Sequence, residues 1–527
     1  MAQYDVVVIG AGIAGLTAAA YLARGGARVV VCEQDEQAGG YFYSFRREGY
    51  LFDAGIKAIE NAGIMRPTLA QLGLLDRVKL LRSPIALITE TDVQPIRSPE
   101  DITAYFNSVM AWFPDQREGL TRILRDVQSI ATALGALVAM SSASFAATPE
   151  EARRTSGGFG RIAGALARVP AIVSLTRGTL RGYLEQRLSN PRVVNLLCDV
   201  FPDGTTPFFG LAYYSMFLDY YYPQGGMQRV PDVLASAIRE WGGEVRTRSE
   251  VLHIGMASGR ATGVTLADGT EIHAGYVISC GDARRAFTQL LPEGAVPPQF
   301  LATLLKAEPS HSVFTVFLGV DLAAEDLRLQ GCPHVFYAPD RNGVGGTDRQ
   351  QTADYFARVP QEISVPCIVD AGLAPPGKSG IILSALTTWH YADHWGTDNG
   401  KPTERYEQLR ARFASQMVAS LEKFIPGLAS RTEFVLTGTP YTLNARTSNY
   451  EGAIMGWSYD RTKTLHRGSL LQMGRSVRTP VPNLYMAGHW AFSPGGSPVA
   501  VMTGKLAANQ ILKATGTKRP VNEVHGS

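Results

Sequence analysis

The feature of this 527-residue chain that most constrains its fold is a glycine-rich turn close to its start. A short buried strand is predicted at Val6 to Ile9, and G-x-G-x-x-G spacing follows it at Gly10, Gly12 and Gly15. The first glycine permits a tight turn, the second lets a pyrophosphate approach the backbone, and the third lets the next helix pack on the sheet. Glu33 ends the second predicted strand, where its carboxylate can accept hydrogen bonds from ribose hydroxyls. This unit predicts that the chain binds a dinucleotide.

Two further glycine-rich segments indicate which dinucleotide is bound. The pair Gly39-Gly40 follows the acidic residue closely, and a flavoprotein needs such a pair because its chain runs close to the ribityl-pyrophosphate. Near the other end of the chain, residues 483–504 read as a strand, a glycine turn and the start of a helix. A helix N-terminus directed at a flavin can stabilise negative charge on the reduced ring. Together these segments favour FAD over NAD.

Several stretches of the chain resemble a known group of enzymes, and they span both ends and the middle of the sequence. They are Ala38–Gly40, Tyr50–Ile56, Tyr222–Met227, Glu451–Trp457 and Ala487–Gly504. In these stretches the chain resembles phytoene desaturases, carotenoid isomerases and retinol saturases. The resemblance implies an α/β fold, in which a Rossmann-type FAD-binding domain of the glutathione-reductase kind is combined with an interleaved α+β substrate domain.

The motifs and the resemblance together predict which residues contact FAD. The backbone near Val251 is expected on the adenine side by resemblance alone. The full predicted set is Gly10, Gly12, Ile13, Ala14, Gly15, Glu33, Gln34, Gly39, Gly40, Tyr41, Gly55, Val251, Gly488, Gly495, Gly496, Ser497 and Val499.

The predicted domains alternate along the chain, because segments of the cofactor domain recur between two insertions. An Asp268-Gly269 turn predicts a hairpin between Arg260–Leu266 and Glu271–His273, with Tyr276–Cys280 as a separate strand. Runs at Val313–Leu318 and Ile381–Leu386 predict strands in the second insertion. The predicted domains are 1–75, 221–285 and 440–515 for FAD, 76–220 and 286–439 for substrate, and a tail at 516–527.

The first insertion carries two features that bear on membranes. Ser129 to Ala147 is almost uncharged, and it is interpreted as a buried helix, with a bilayer span as the alternative. Between Arg153 and Arg187 seven arginines alternate with apolar residues, which is typical of a helix on an anionic membrane surface or of a solvated helix face. Peripheral membrane contact is therefore expected.

Aromatic residues are dense just before residue 222, which fits either a pocket wall or an ordinary core. A tunnel for a long apolar chain needs wide, flat walls with few charges. The pocket interpretation is favoured, and the predicted substrate-contacting residues are Phe209, Tyr213, Phe217, Tyr220 and Trp457.

The chemistry expected of a flavin identifies three candidate catalytic residues. Hydride transfer from an allylic C–H bond to N5 leaves a proton to be removed, so a base near the ring would help. Lys57 follows the Asp53-Ala-Gly-Ile stretch, where it could act as that base, polarise the flavin or activate oxygen. His489 and Glu451 are the other candidates.

Composition excludes several classes of function. The net charge of +3 gives no indication of nucleic-acid binding. Five scattered cysteines without a C-x-x-C pair argue against a disulfide framework and a zinc site and suit a reducing cytoplasm. The early start of the cofactor strand predicts no secretory leader. There is no Ser-His-Asp elbow and no Walker loop in the sequence.

The sequence therefore predicts an FAD-dependent oxidoreductase that desaturates an apolar polyene or isoprenoid-like small molecule. A polyene isomerase or saturase, an amine oxidase and a non-catalytic flavin or lipid carrier are the alternatives. The electron acceptor is left open among oxygen, a quinone and another protein.

Overall fold

The architecture was obtained as a computed structural model, which describes most of the chain. The described residues are 3–60, 62–143, 173–344, 352–465 and 473–516. Most of the predicted arginine-rich helix and nearly all of the predicted tail lie outside these ranges.

Strands and helices alternate through the described residues. The strands are β1 Tyr4–Ile9, β2 Val29–Cys32, β3 Ser44–Arg47, β4 Tyr50–Asp53, β5 Ile59–Glu60, β6 Leu80–Arg82, β7 Ile85–Thr89, β8 Asp92–Ile96, β9 Tyr220–Pro223, β10 Glu244–Arg246, β11 Val251–Ala257, β12 Arg260–Leu266, β13 Glu271–Ser279, β14 Ser312–Val320, β15 His334–Ala338, β16 Gln361–Ser364, β17 Ser379–Thr387, β18 Thr432–Gly438 and β19 Leu484–Met486. The longer α-helices are α1 Ile13–Arg24, α2 Ala62–Gln71, α3 Pro99–Trp112, α4 Arg117–Ala143, α5 Leu180–Glu185, α6 Pro191–Cys198, α7 Pro207–Met216, α8 Arg229–Glu240, α9 Pro298–Lys306, α10 Glu404–Leu421, α11 Pro440–Thr447 and α12 Ser497–Ala514.

The first sheet is built on parallel strands in the order β10-β2-β1-β13, and β19 pairs with β13 on the far side. All four residues of β2, Val29 to Cys32, are buried, as expected when both faces of a parallel sheet are covered. Helix α1 packs against α8 and α12. This arrangement confirms the predicted α/β fold with a Rossmann-type domain.

Strand β13 corrects one detail of the prediction. Glu271–His273 and Tyr276–Cys280 were expected as two strands, but one continuous strand covers Glu271–Ser279. Its first half pairs antiparallel with β12, and its second half pairs parallel with β1. Because the strand changes partner midway, its alternating polar and apolar pattern ends there, although the strand itself continues.

The second sheet has the order β18-β14-β17-β16-β15-β7-β8. The predicted strands at Val313–Leu318 and Ile381–Leu386 are confirmed as β14 and β17, which pair antiparallel along their length. A continuous hydrophobic core joins residues of both sheets. The predicted division into domains stays a prediction.

A separate hydrophobic cluster joins α3 to α7 beneath β7. Residues 129–143 of the predicted buried helix belong to α4, in which Ile130 and Ala133 are buried, and residues 144–147 lie outside the described ranges. Within the described ranges, we find no helix with the length and apolar character required to span a bilayer.

Candidate functional site

One cleft runs along the carboxyl ends of β1 and β2 and continues to the second sheet. In open α/β sheets this edge is where ligands bind. At one end the cleft is lined by Glu33 and Val251, and at the other by Thr315 of β14 and Glu362 of β16. The cleft is therefore elongated, with one end on each sheet.

The glycine turn at the start of α1 forms the floor of the cleft. Gly10 has φ +94°, and a Cβ added to Gly15 would lie 2.0 Å from the Gly10 carbonyl oxygen. A Cβ added to Gly12 would meet nothing within 4 Å, so this position opens into the cleft. The backbone of Gly39 pairs with that of Gly12. Both glycine motifs thus meet where an extended ligand can approach the backbone.

Glu33 is held at the end of β2 by two backbone donors. Ala11 N donates to Oε2 at 2.7 Å, and Asp35 N donates to Oε1 at 3.0 Å. Burial raises the pKa of Glu33, although both backbone donors oppose the shift. The carboxylate is fixed beside the turn, with lone pairs left to accept from a sugar hydroxyl.

The C-terminal segment supplies a second helix N-terminus to the same cleft. Gly488 N donates to Thr503 Oγ1 at 2.9 Å, which ties the turn after β19 to α12. A Cβ added to Gly504 would lie 2.4 Å from the Ala14 carbonyl oxygen, so α12 packs closely on α1. Among the described residues, no side chain caps α1 or α12, and neither helix has an acid in its first turn. Such N-termini favour an anionic ligand.

The end of α11 also lines the cleft. Gln34 Nε2 donates to the Arg446 carbonyl at 3.0 Å, and the Arg446 guanidinium lies 3.2 Å from an Asp35 carboxylate oxygen. Arg446 also lies over the Tyr43 ring, with its Cζ 3.5 Å from the ring centroid. We call this segment, residues 443–449, the strap, because its residues line the cleft and tie back to the β2 end.

Tyr41 and His489 form the wall between the glycine turn and the strap. The Tyr41 hydroxyl donates to the Ala453 carbonyl at 2.9 Å and accepts from Asn449 Nδ2 at 3.0 Å. The His489 and Tyr41 ring centroids lie 5.8 Å apart. Burial lowers the pKa of His489 to about 4, so its imidazole is neutral at pH 7.

A group of ionisable side chains lines the end of the cleft at the second sheet. Lys57 Nζ donates to Glu362 Oε2 at 3.2 Å and to the Gly55 carbonyl at 3.4 Å. His334 Nε2 lies 3.2 Å from Glu362 Oε1. Glu60 lines the same wall. Lys57 and His334 are almost fully buried, so this charge pair is shielded from water.

Most of the residues predicted to contact the cofactor line this one cleft. Those on its wall are Gly10, Gly12, Ile13, Ala14, Glu33, Gln34, Gly40, Tyr41, Gly55, Val251, Gly488, Gly496 and Ser497. Gly15, Gly39, Gly495 and Val499 are not among the lining residues. Gly495 lies behind the wall, since a Cβ there would be 2.1 Å from the Met455 carbonyl oxygen. Their direct contact with a cofactor stays a prediction.

The structure places two of the three predicted catalytic residues on the cleft wall. Lys57 and His489 line the cleft. Glu451 is not among the lining residues, and its Oε1 lies 3.4 Å from His390 Nε2. Its backbone has φ 54°, in the left-handed region. The structure therefore brings two of the three candidates together.

The predicted substrate residues lie behind the described wall of the cleft. Tyr213 packs on Phe217 at 5.1 Å and on Phe209 at 5.8 Å between centroids, and its hydroxyl lies 2.9 Å from that of Tyr220. None of these rings is among the residues that line the cleft. Trp457 is fully buried and donates to the Trp490 carbonyl at 2.8 Å. Contact of these residues with substrate stays a prediction.

Sequence reasoning missed four residues of the site: Glu60, Glu362, Arg446 and Asn449. Glu60 had a detectable signal, because it is a lone acid that ends the apolar run Ala58-Ile59. Glu362 interrupts the otherwise buried strand β16. The two strap residues carry no local signal, since they reach the cleft only through the fold.

The chemistry of the cleft fits a flavin dinucleotide along its length. Two uncapped helix N-termini suit a pyrophosphate, and Glu33 offers an acceptor to a ribose. The open face of Gly12 leaves room for the phosphates. The fold and the cleft thus define a dinucleotide-binding protein of the Rossmann class.

The chain belongs to the family described as flavin containing amine oxidoreductases, whose sequence profile matches residues 13–512. This confirms the predicted FAD cofactor and the predicted class, an FAD-dependent oxidoreductase.

Characterised relatives match almost the whole chain. An all-trans-retinol 13,14-reductase of Macaca fascicularis is 26% identical, with 97% of this chain and 86% of that protein covered. A chloroplastic prolycopene isomerase of Arabidopsis thaliana is 27% identical, with coverage of 98% and 84%. A phytoene desaturase of Fusarium fujikuroi is 25% identical, with coverage of 98% and 90%. These matches confirm the resemblance drawn from the motifs.

Solved structures share the fold at low identity. An oxidoreductase from Methanosarcina mazei superposes with a TM-score of 0.62 at 17% identity, and 97% of this chain and 100% of that chain are covered. A putrescine oxidase triple mutant gives a TM-score of 0.61 at 15% identity, with coverage of 97% and 99%. Both support the α/β flavoprotein fold.

Proposed function

We propose that this protein is an FAD-dependent oxidoreductase that acts on the carbon–carbon bonds of an apolar polyene or isoprenoid, with desaturation as its reaction. The observation that carries the proposal is the wall of the cleft near Lys57 and His489. Beside those side chains, two glutamates and Thr315, the apolar residues Ile56, Val313, Ile454 and Met455 line this region. These apolar residues suit a hydrocarbon chain.

The names of the relatives support the same class of substrate. Retinol, prolycopene and phytoene are the substrates that those names give, and each is a conjugated or isoprenoid molecule. Coverage above four-fifths of each relative means that the likeness includes the cofactor cleft and the second sheet. The names include a reductase, an isomerase and a desaturase, so the class of substrate is better supported than the direction of the reaction.

Different residues of the cleft have different roles in such a reaction. When bound, FAD supplies a hydride acceptor, so the protein must place an allylic C–H bond beside it with water excluded. Ile56, Val313 and Met455 provide the apolar surface that orients the chain and keeps water out. Lys57 is fixed by Glu362 and provides a buried positive charge. His489, neutral at pH 7, offers a nitrogen that can accept a hydrogen bond.

The ion pair also bears on the amine oxidase alternative. An ammonium substrate needs a free carboxylate or an aromatic surface. Glu362 is the ionised carboxylate of this wall, and its two oxygens face Lys57 and His334. Lys57 adds a like charge that would repel an amine. At this end of the cleft Glu362 is therefore already paired, and an ammonium would have to compete with Lys57 for it.

Peripheral membrane contact completes the proposal, because an apolar substrate has almost no concentration in water. Three guanidinium groups, those of Arg122, Arg125 and Arg187, line a shallow groove beside α4 and α5, with Asp126 as the acid. This basic surface suits anionic headgroups on the inner face of a membrane. The five free cysteines fit a reducing cytoplasm. Sedimentation with anionic and with neutral vesicles tests the contact.

The direct test is anaerobic reduction of the holoenzyme by candidate substrates. We expect a partly unsaturated isoprenoid with allylic C–H bonds to bleach the flavin absorbance, with a product that has one more double bond by mass spectrometry. Bleaching by amines, with hydrogen peroxide formed in air, would instead identify an amine oxidase. Reoxidation of the dithionite-reduced enzyme by a polyene, without bleaching of the oxidised form, would identify a saturase.

A further inference from the structure

Two carboxyl groups line the second-sheet end of the cleft, and their surroundings differ. Glu362 has Lys57 Nζ 3.2 Å from one oxygen and His334 Nε2 3.2 Å from the other. Burial acts to raise the pKa of Glu362, but Lys57 and His334 outweigh it and hold the pKa well below its ordinary value. Glu362 is therefore a stable anion and a poor acceptor of protons.

Glu60 lies in the opposite kind of environment. It pairs with Tyr220 across β5 and β9, and the Tyr220 hydroxyl lies 2.9 Å from that of Tyr213. Burial and the negative charge of Glu362 raise the pKa of Glu60, while His334 and the two tyrosine hydroxyls oppose them. The net shift is upward. A carboxyl group shifted toward neutral pH is suited to exchanging protons.

The other candidates for proton transfer in this part of the cleft are less suited. The Lys57 ammonium already donates to Glu362, and an ammonium has no lone pair to accept a proton. His489 has a pKa of about 4, so it holds a proton weakly at neutral pH. Glu451 lies off the described wall. Glu60 combines position on the wall with suitable proton affinity.

We propose that Glu60 is the catalytic base of the desaturation, and that Tyr220 and Tyr213 position its carboxylate. The inference rests on the proposed function. One substrate carbon gives a hydride to the flavin, the neighbouring carbon gives a proton to the Glu60 carboxylate, and the electron pair left behind becomes the new double bond. The proton passes to water after the product leaves, and the two electrons on the reduced flavin pass to oxygen or a quinone.

The test uses Glu60→Gln holoenzyme, with Glu271→Gln as the matched control on the exposed edge of β13. We expect the rate of flavin bleaching by substrate to fall about 100-fold or more in E60Q, the range typical of a lost general base, and to stay unchanged in E271Q. Flavin absorbance should show equal FAD content in both. Bleaching of E60Q at the wild-type rate would overturn the inference.

A second readout does not depend on turnover. In pH-difference infrared spectra of the holoenzyme, Asp53 and Glu33 also contribute protonated carboxyl bands, because burial raises the pKa of both. We expect the wild-type spectrum to contain one further band that titrates above the ordinary glutamate range and that E60Q lacks. Identical spectra of the two proteins would overturn the inference. If no polyene bleaches the wild-type enzyme but the Glu60 band is present, the proposed function is wrong. The assignment of Glu60 as a proton-exchanging group would then still be supported.

The positioning role has its own signature. Tyr220→Phe removes one hydroxyl beside Glu60 and leaves the ring in the aromatic cluster. We expect kcat to fall with KM nearly unchanged, and the acidic limb of its pH profile to move to higher pH, because the carboxylate loses a donor. A change in KM alone would mean that Tyr220 acts only in packing.

Discussion

The Tyr222 hydroxyl donates to Asp53 Oδ2 at 2.6 Å, which joins two motifs that lie 169 positions apart in the sequence. Met227 N donates to Oδ1 of the same carboxyl at 3.0 Å. Burial raises the pKa of Asp53 to about 6, although these donors oppose the shift. Asp53 ends β4 just before Gly55 and Lys57, so this contact anchors one wall of the cleft to the β9 loop.

Loss of the Tyr222 hydroxyl should therefore destabilise the fold. In Tyr222→Phe the buried Oδ2 of Asp53 loses its donor, and we expect the free energy of unfolding to fall by about 2 kcal/mol. The neighbouring Tyr221→Phe is the matched control, because its half-buried hydroxyl only accepts from Arg66 at 3.3 Å. Urea unfolding of both variants measures the difference, and equal stability of the two would contradict the assigned contact.

The glycine turn predicts two opposite phenotypes. Gly15→Ala should destabilise the protein strongly, since its Cβ would lie 2.0 Å from the Gly10 carbonyl oxygen. Gly12→Ala should fold with nearly wild-type stability but lose FAD, because its Cβ projects into the open cleft. Thermal unfolding without added cofactor, together with flavin content, separates the two. A stable Gly12→Ala protein that retains FAD would argue against a phosphate site at the glycine turn.

The strap should strengthen the binding of FAD. Removal of the Arg446 side chain in Arg446→Ala breaks its 3.2 Å contact with Asp35. We expect the Kd for FAD to rise about tenfold, which corresponds to about 1.4 kcal/mol. Arg431→Ala breaks an exposed pair with Asp321 at the same 3.2 Å distance and should leave the Kd unchanged. Equal effects in both variants would show that the strap does not retain the cofactor.

His489 should make the protein sensitive to acid. Its pKa is about 4 in the folded chain and near 6.5 when exposed, so the unfolded chain binds more protons between these values. Stability from this group is present above pH 6.5 and is lost as the pH falls toward 4, by about 3 kcal/mol in total. His489→Gln should show a shallower loss over that window in urea titrations. An equal loss of stability in the two proteins over this pH window would show that the imidazole is exposed to water in the folded protein.

Much of the cofactor half could be predicted from sequence because its signals are local. The turn at Gly10 to Gly15 and the acid at Glu33 lie on adjacent elements, and the sheet brings them together without help from the rest of the chain. Strand β13 was divided wrongly because its change of partner near Ala274 breaks the apolar pattern without interrupting the strand.

The second-sheet end of the cleft could not be predicted in the same way. Lys57 and Glu362 lie 305 positions apart, and only the register of β16 in the second sheet brings them into contact. The aromatic residues near Tyr213 suggested a wall by their density alone. Density cannot distinguish a surface that faces the ligand from a layer that supports it, and here the rings pack behind Glu60.

The close packing of α12 on α1 has a consequence for biogenesis. The glycine turn is synthesised long before α12, although both contribute to one binding site. A truncated product that ends before Ser497 would carry the turn without the opposing helix, and we expect such a product to be colourless.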